Sequence, residues 1–330
     1  MGTQSRRATP WDYSTQRSPI EDFIRDNFIN DYDTHHIDLS DTNESIIINS
    51  YLPKHCPYCG SILFINYGKT KNLIHRYKCT ECKRTFTPIT NTLFQDHKIS
   101  VVKWIEYLRN LIQYLSINTM SWNNKNAYTT SRYWLEKVFL LIKDYQDDII
   151  LSGTIWLDET FYKLRSDQLI YDKNGNLLRG LSRNQMCIGV ACTCTQCICL
   201  YECNGKPSEE ETFNTFKSHI SKNSLLLHDK ENSHTKLINE LELSDRSYDS
   251  RILKKLDANK NPLKRINDLH NLLKQFLDAH SGFKRDHLQD FLNLFTFIMN
   301  PPSEKLEKIK FLLNRSFQVH KTLKYRDFYK

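Results

Sequence analysis

Two aspartates, Asp158 and Asp229, follow apolar stretches that have the character of buried strands. Asp158 comes after "GTIWL" and Asp229 comes after "SLLLH". A carboxylate at the tip of an apolar strand is partly desolvated and held by the sheet, so two such tips side by side favour hard divalent cations. Taken singly, an aspartate at such a place is more often a helix cap or a loop residue. The pair predicts an Mg²⁺ or Mn²⁺ site if the fold brings the strands together.

The helix predicted in "RINDLHNLLKQF" (265–276) carries three candidates for a third ligand, Asn267, Asp268 and His270. Apolar residues at helical spacing predict its buried stripe, which comprises Leu269, Leu272, Leu273, Phe276 and Leu277. At 100° per residue, Asn267 shares one face with Lys274, His270 lies next to that face, and Asp268 points to a different side. Asn267 is also a favoured helix N-cap, so a purely structural role is the alternative.

Four cysteines form two pairs, Cys56-x2-Cys59 and Cys79-x2-Cys82, separated by 19 residues. Each pair puts two thiolates on one turn, and two such turns complete a tetrahedral Cys₄ zinc site. The segment between the pairs suits two strands, which predicts a zinc ribbon. Because so small a unit cannot bury a sufficient core, we expect the zinc to supply folding free energy.

Basic residues crowd the predicted zinc ribbon, and the whole chain has a net charge of +8. They are Lys69, Lys71, His75, Arg76, Lys78, Lys83 and Arg84. A surface of this kind favours contact with the phosphates of DNA. The alternative is a purely structural zinc site with a solvated, charged face.

A second group of cysteines lies between residues 187 and 203. Its members are Cys187, Cys192, Cys194, Cys197, Cys199 and Cys203. Alternation along two paired strands sends these thiols to both faces, and cysteine is also a small apolar core residue. Packing is therefore the favoured interpretation, with a metal or redox role as the alternative.

Helical patterns follow the zinc ribbon between residues 99 and 145. Ser100 is placed to cap the first helix, a second is predicted near 118–126, and Thr129 or Thr130 would cap the third. A helix-turn-helix would use the third helix to contact DNA. It would expose Ser131, Arg132 and Lys137 and bury Trp134, Leu135, Val138 and Phe139. A plain helical linker is the alternative.

From about residue 150 the pattern changes to strands that alternate with helices. Strands are predicted at "GTIWLDE", "MCIGVACTC", "CICLYECNG" and "SLLLHD", with a hairpin at Asn174-Gly175 and a helix in "EEETFNTFKSHI". A further helix is predicted after a cap at Ser233, residues 244–263 are predicted to be irregular, and helices resume at 266 and pause at Gly282. This order predicts an α/β domain behind a small basic front end.

Apolar runs long enough for a membrane span, about 18 residues, are not found in the sequence. The first residues, "MGTQSRRATPW", do not have the apolar core of a signal peptide. We therefore expect a cytoplasmic protein, nucleoid-associated if it binds DNA, without a membrane partner. In that compartment the ten cysteines would be reduced thiols or metal ligands.

The order of these motifs, over residues 50–300, resembles the zinc-ribbon DDE transposases of bacterial insertion sequences. The matching features are the zinc ribbon, the helix-turn-helix, "DET", "HD" followed by "SH", and "N" followed by "LLK". The resemblance implies an RNase H-like catalytic domain, a mixed sheet flanked by helices. Together with the pattern of the remaining residues, this predicts five regions: a tail or adaptor (1–50), the zinc ribbon (51–92), the helix-turn-helix (98–148), the catalytic domain (150–300) and a C-terminal helical tail (301–330).

The resemblance also implies a set of catalytic residues. The family's two aspartates match Asp158 and Asp229, and its third ligand, Glu or Asn, opens a helix seven residues before a lysine. Asn267 stands seven residues before Lys274, which corresponds to the Asn-type branch. The implied cofactors are a structural Zn²⁺ and catalytic Mg²⁺ or Mn²⁺.

The implied activity is binding of terminal inverted repeats, followed by metal-dependent DNA strand cleavage and strand transfer. The implied partners are double-stranded DNA and at least one further copy of the chain. Two alternatives stay open at this point. One is a non-enzymatic zinc-ribbon DNA-binding regulator or an inactive transposase remnant. The other is a structure-selective nuclease of the same fold.

Overall fold

The computed structural model describes residues 44–180, 182–253, 255–320 and 323. Most of the predicted N-terminal tail, residues 1–50, and the end of the predicted C-terminal tail lie outside the described residues. The chain divides into two compact units. One comprises residues 1–141 and 305–330, and the other comprises residues 142–304. Among the described helices, none combines the length and the apolar character of a membrane-spanning segment.

The first unit contains a small antiparallel sheet built around the four paired cysteines. Its strands are β1 (Phe64–Lys69), β2 (His75–Cys79) and β3 (Thr85–Phe86), in that spatial order, and helix α1 (Glu44–Asn49) precedes them. The core of this sheet is a cluster in which Tyr77 and Phe86 pack with Cys56 and Cys79, and the Phe64 ring meets both aromatic rings. So few buried side chains make bound metal an expected part of its stability.

The described part of the first unit also contains four longer helices. They are α2 (Val101–Leu111), α3 (Ile117–Asn123), α4 (Tyr128–Ile142) and the C-terminal α10 (Lys305–Gln318). The predicted cap of α2 is confirmed, because the Ser100 side chain accepts a hydrogen bond from the Lys103 backbone N–H. The predicted caps Thr129 and Thr130 are wrong, because both residues lie inside α4.

Packing of α4 agrees only in part with the predicted DNA-reading face. The four residues predicted to face inward, Trp134, Leu135, Val138 and Phe139, are all buried. Ser131, however, is fully buried, and its carbonyl accepts a hydrogen bond from the Tyr107 hydroxyl. Lys137 donates to the Leu93 carbonyl. The helix-turn-helix therefore stays a prediction, and Ser131 is removed from its exposed face.

The second unit is an α/β domain around a five-stranded mixed sheet. Its strands are β4 (Thr154–Lys163), β5 (Gln185–Cys192), β6 (Cys197–Asn204), β7 (Leu225–Asp229) and β8 (Ser244–Tyr248). Their spatial order is β6-β5-β4-β7-β8, with β5 antiparallel to both neighbours and β7 parallel to β4 and β8. An antiparallel three-strand meander continued by two parallel strands is the RNase H-like topology, so the predicted fold class is confirmed.

Helices cover both faces of this sheet. They are α5 (Glu209–Phe216), α6 (Thr235–Glu240), α7 (Ser250–Leu253), α8 (Lys264–Ala279) and α9 (Leu288–Met299). Helices α5 and α6 pack on what we call the rear face, where Leu157, Phe216 and Leu237 belong to one buried cluster. Helix α8 packs on β4 and β5 on the opposite face, which we call the front face.

Several local predictions in this unit are corrected by the structure. The stretch 244–263, predicted to be irregular, contains β8, whose sequence "SDRSY" is polar because it is an exposed edge strand. Ser233 does not cap a helix and lies in a 3₁₀ turn, Asn232–His234, that leads into α6. Helix α8 begins at Lys264, so Asn267 is inside the helix and the N-cap explanation for it is wrong. Leu272, predicted to be buried, is 37% exposed.

Candidate active site and metal centres

Asp158 and Asp229 lie side by side on neighbouring parallel strands. The β4–β7 ladder pairs Trp156 with Leu227 and Leu157 with His228, so the next residues along the two strands are the two aspartates. The prediction that Asp229 ends its strand is confirmed. Asp158 is instead the fifth residue of a ten-residue strand, because β4 continues to Lys163 along its antiparallel partner β5. The parallel ladder with β7 ends at Leu157, immediately before Asp158.

Burial disfavours the charged form of both carboxylates, and Asp229 further destabilises the charge of Asp158. Burial, followed by repulsion from Asp229 and from Glu159, raises the pKa of Asp158 to about 7. Burial also raises the pKa of Asp229. The Oδ1 atom of Asp229 is buried and has no hydrogen-bond partner within the described part of the chain. A desolvated acid pair with an unsatisfied oxygen is a local arrangement that a cation would stabilise.

His270 of α8 faces Asp158 from the front. Its Nδ1 lies 3.9 Å from Asp158 Oδ2, and the side chain is only 9% exposed. Burial, followed by the positive charge of Lys274, lowers the pKa of His270 to about 4, so the imidazole is neutral. Its Nε2 is buried, again with no hydrogen-bond partner among the described residues. A neutral imidazole with an unsatisfied nitrogen is a suitable metal ligand.

The other residues predicted on α8 occupy different positions. Asn267 is half-buried one turn before His270, on the side of the helix that also carries Lys274. Lys274 is exposed and close enough to His270 to affect its pKa. Asp268 is exposed and forms an ion pair with Lys264, 2.5 Å apart. The structure thus places His270 against Asp158, with Lys274 nearby, and directs Asp268 elsewhere. Asp229 follows on the neighbouring strand, and a carboxylate oxygen of Asp229 lies within 4.8 Å of a ring nitrogen of His228 and of His234.

A buried polar chain on the rear face was not predicted from the sequence. Glu159 follows Asp158 and His228 precedes Asp229, so strand alternation turns both of these side chains to the rear. His234 Nε2 lies 2.9 Å from Glu159 Oε1, and His234 Nδ1 lies 2.9 Å from His228 Nδ1. His228 Nε2 is 3.5 Å from Asp245 Oδ2 on β8. Alternation next to the two aspartates was the sequence signal that could have revealed this chain.

Charges in this buried chain are arranged to support each other. Hydrogen bonding to His234 lowers the pKa of Glu159 despite its burial. The Glu159 carboxylate in turn raises the pKa of His234 against the effect of burial. Burial, followed by the neighbouring His234, lowers the pKa of His228. These directions favour an ionised Glu159 carboxylate next to the imidazole of His234.

Glu202 of β6 lies on the same rear face, next to this chain. Its Oε2 accepts a hydrogen bond from the Thr212 hydroxyl, 2.7 Å away, whereas its Oε1 is buried and without a hydrogen-bond partner in the described ranges. Burial and the charge of Glu159 raise the pKa of Glu202 to about 7. Gly189 provides the room for Glu202, since a Cβ at that position would lie 2.3 Å from Glu202 Oε1.

The four cysteines of the first unit converge as the sequence predicts. All four Sγ atoms lie within 4.8 Å of one another. The closest approaches are 3.7 Å between Cys56 and Cys82 and 3.6 Å between Cys59 and Cys79. Tetrahedral zinc with Zn–S bonds of about 2.3 Å separates its sulfurs by about 3.8 Å, so the four thiols fit a zinc ion.

The second cysteine group shows no such convergence. Cys187, Cys192, Cys197 and Cys199 are buried on β5 and β6, Cys203 is half-buried, and Cys194 is exposed in the turn between the strands. In the described ranges, the groups of side chains that could share a metal ion include none of these six. Burial also raises the pKa of Cys192 to about 12. These features support the packing interpretation.

A cavity of about 650 Å³ adjoins Trp156, which precedes Asp158 by two residues on the same face of β4. The indole N–H of Trp156 donates to the Pro262 carbonyl, and the Arg265 guanidinium lies 5.7 Å from the indole ring. Lys264 and several amide side chains also line the cavity. An aromatic ring and two cations therefore line a cavity that adjoins β4 two residues before Asp158.

No protein-family model matches the sequence, and no curated protein matches it. Among solved structures, the catalytic domain of the Mos1 mariner transposase is 11% identical with a TM-score of 0.30, over 56% of this chain and 88% of that chain. The HTLV-2 integrase catalytic core domain, in complex with magnesium, is 12% identical with a TM-score of 0.27, over 44% and 85%. The Mos1 strand transfer complex is 11% identical with a TM-score of 0.28, over 64% and 75%. Scores this low carry no functional argument, and the fold assignment rests on strand order and direction.

Proposed function

We propose that this protein is a DDE-type transposase, which binds the terminal inverted repeats of an insertion sequence and catalyses metal-dependent DNA strand cleavage and strand transfer. The observation that carries the proposal is the juxtaposition of Asp158 and Asp229 on adjacent parallel strands of an RNase H-like sheet. His270 faces Asp158, and both Asp229 and His270 have a buried ligand atom with no hydrogen-bond partner in the described residues. A divalent cation would stabilise these buried carboxylate and imidazole groups.

Asp158 and Asp229 would hold two Mg²⁺ or Mn²⁺ ions together with a side chain from α8. Such ions supply Lewis-acid activation of the attacking oxygen and charge stabilisation of the leaving oxygen in an in-line phosphodiester displacement. The sheet fixes the two carboxylates, and Lys274 adds a positive charge near the position of the phosphate. Neither aspartate acts as a nucleophile, so no covalent protein–DNA intermediate forms.

The third ligand comes from α8, and two of the three sequence candidates stay in place. Asn267 would offer a neutral amide oxygen, which suits Mg²⁺, as the resemblance implies. His270 would offer an imidazole nitrogen, which favours first-row transition ions. The 3.9 Å separation of His270 from Asp158 favours His270, whereas Asp268 is engaged with Lys264.

DNA binding would use surfaces on each unit. On the zinc ribbon, Arg76 and Lys78 lie 5.0 Å and 5.1 Å from the ring of the exposed Tyr67, which combines stacking with phosphate contact. On the second unit, the cavity at Trp156, with Lys264 and Arg265, would receive the strand that leads to the reacting phosphate. Joining two ends in one reaction requires at least two copies of the chain.

The decisive experiment is an end-processing assay on DNA that carries the inverted repeats flanking the gene, with Mg²⁺ or Mn²⁺. We expect strand cleavage and joining by the wild-type protein, and neither reaction by Asp158→Asn or Asp229→Asn. Both variants should retain DNA binding, because neither residue belongs to the basic surfaces.

Two results would overturn the proposal. Binding to the ends without any metal-dependent cleavage would identify a non-enzymatic DNA-binding protein or an inactive remnant. Cleavage of branched DNA with no preference for the end sequence would identify a structure-selective nuclease. Matched inverted ends next to short target duplications in the flanking DNA would support the transposase directly.

A further inference from the structure

We infer that the rear-face chain Glu159–His234–His228 positions the two aspartates of the divalent site from behind the sheet. This inference rests on the proposed metal site at Asp158 and Asp229. It adds three positioning residues, none of which needs to touch metal or DNA. The chain links β4 to β7 through the turn that follows β7.

Each end of the chain is covalently next to an aspartate. Glu159 also contacts Asp158 directly, because its backbone N–H donates to Asp158 Oδ1 at 2.9 Å. Fixing the Glu159 side chain therefore fixes the donor that orients the Asp158 carboxylate. At the other end, the contacts of His228 on the rear face hold the end of β7 in place, and Asp229 is the last residue of that strand.

Burial makes this chain specific in geometry. The side chain of His234 is fully buried, and those of His228 and Glu159 are 5% and 6% exposed. Buried polar groups without partners are costly, so each of these side chains has few alternative rotamers that keep its hydrogen bonds. The two Nδ1 atoms can be 2.9 Å apart only if one of them carries a hydrogen, which His234 or His228 donates to the other.

The same residues offer an alternative, a buried transition-metal site. Ligand atoms of His228, Asp229 and His234 all lie within 4.8 Å of one another. The hydrogen-bond chain is favoured, because it accounts for both Nδ1 atoms and for the Glu159 contact of His234. A second metal ion is therefore an outcome that the test must be able to detect.

The test uses full-length, zinc-loaded protein without DNA and measures Mn²⁺ affinity by electron paramagnetic resonance. Ligand-orienting residues typically contribute 10–100-fold in metal affinity, so we expect Glu159→Gln and His228→Leu each to weaken Mn²⁺ binding by roughly tenfold or more. His228→Asn should recover much of the loss, because its amide can replace the Nδ1 contact. The matched control is Thr212→Val, which removes a buried hydrogen bond to Glu202 on the same face.

Thermal unfolding of each variant separates positioning from general destabilisation. Glu159→Gln should lower Mn²⁺ affinity far more than Thr212→Val at a similar unfolding midpoint. Unchanged Mn²⁺ affinity in Glu159→Gln and His228→Leu would overturn the inference, and so would an equal loss in Thr212→Val. A different outcome is that the protein binds a second metal ion tightly, in addition to the zinc of the cysteines. If His228→Leu loses this ion, then His228, Asp229 and His234 form a metal site and not part of a positioning chain.

This readout also distinguishes the inference from the proposed function. Mn²⁺ binding that requires Asp158 and is weakened in Glu159→Gln supports the positioning chain even if the wild-type protein joins no DNA. In that case only the transposase proposal fails. If Asp158→Asn leaves Mn²⁺ binding intact, the metal site itself is wrong, and the positioning inference fails with it.

Discussion

His270 Nδ1 lies 3.9 Å from Asp158 Oδ2, across the contact between α8 and the centre of the RNase H-like sheet. The helical position that meets the first aspartate is therefore occupied by an imidazole, one turn after the asparagine that the sequence pattern favours. The metal preference of the site should therefore show whether His270 or Asn267 is the third ligand. Oxygen-only sites suit Mg²⁺, whereas an imidazole ligand favours first-row transition ions.

We predict that His270→Asp shifts the preference of the protein from Mn²⁺ towards Mg²⁺ by roughly tenfold in relative affinity. The added carboxylate supplies a hard oxygen where the wild-type protein has nitrogen. Competition between the two ions, followed by the Mn²⁺ resonance signal, measures the ratio. The matched variant is Asn267→Ala, one turn away on the same helix, which should leave the ratio unchanged. An effect of Asn267→Ala with none of His270→Asp would assign the third ligand to Asn267.

Zinc should be lost when any of the four converging cysteines is removed. We predict that the wild-type protein holds one zinc per chain and that Cys82→Ala holds none, because the remaining three thiols leave the tetrahedron incomplete. Loss of zinc should unfold β1–β3, whose buried cluster is small, without unfolding the second unit. Metal content by mass spectrometry and amide hydrogen exchange measure the two effects.

The matched control for zinc binding is Cys194→Ala. Cys194 is exposed and lies in the second cysteine group, so this variant should keep its zinc and its exchange pattern. Equal zinc loss in Cys194→Ala and Cys82→Ala would show that zinc is not held by the paired cysteines alone.

The sequence predicts a structural feature correctly where neighbouring residues alone determine that feature. The paired cysteines, the Ser100 cap and the apolar run before Asp229 each have a local cause, and each is found where it was predicted. The polar edge strand β8 was missed because an exposed strand needs no apolar alternation. Parallel pairing with β7, a contact between distant segments, is what makes "SDRSY" a strand.

In the candidate site, too, the sequence predicts the local features and misses those that depend on contacts between distant segments. Asp158 and Asp229 were found from local pattern, although Asp158 lies within its strand because β5 extends the pairing beyond it. The choice among Asn267, Asp268 and His270 depends on the rotation and start of α8, which tertiary packing decides. Helix α8 starts at Lys264 without a side-chain cap, so no sequence signal marked its first turn. The His234–Glu159 contact joins residues 75 positions apart, beyond the range of local pattern.

Gly189 is predicted to tolerate no side chain. A Cβ would lie 2.3 Å from Glu202 Oε1 and 2.6 Å from Phe216 Cε2, and both groups are held by the rear-face packing. Overpacking of this kind typically costs about 1–3 kcal/mol, so Gly189→Ala should lower the free energy of unfolding of the second unit by at least that amount. Urea unfolding measures it. Gly282→Ala is the control, since no atom lies within 4 Å of its added Cβ, and it should change stability by about 0.5 kcal/mol or less. An unchanged free energy of unfolding in Gly189→Ala would contradict the close packing of Glu202.

The pair formed by Glu44 and His97 should give the first unit a pH-dependent stability. Glu44 Oε1 lies 2.7 Å from His97 Nε2 and accepts a hydrogen bond from the Val101 N–H, also at 2.7 Å. The bond from His97 lowers the pKa of Glu44, and the bond to Glu44 raises the pKa of His97. Each side chain is less than one-fifth exposed, so solvent screens the pair only in part.

The two shifts define the pH window of this contribution. The Glu44 contribution is present above its ordinary pKa of 4.5 and is lost as pH falls through the lowered value. The His97 contribution is complete below its ordinary pKa of 6.5 and is lost as pH rises through the raised value. Glu44→Gln should therefore cost most between pH 4.5 and 6.5, by about 1–2 kcal/mol in the free energy of unfolding, and less on either side. Urea unfolding of the wild-type protein and of Glu44→Gln across this range measures the difference. Adding His97→Gln to Glu44→Gln should cause little further loss of stability, because the partner of His97 is already absent. If the losses of the two single variants instead add up in the double variant, the two side chains act independently.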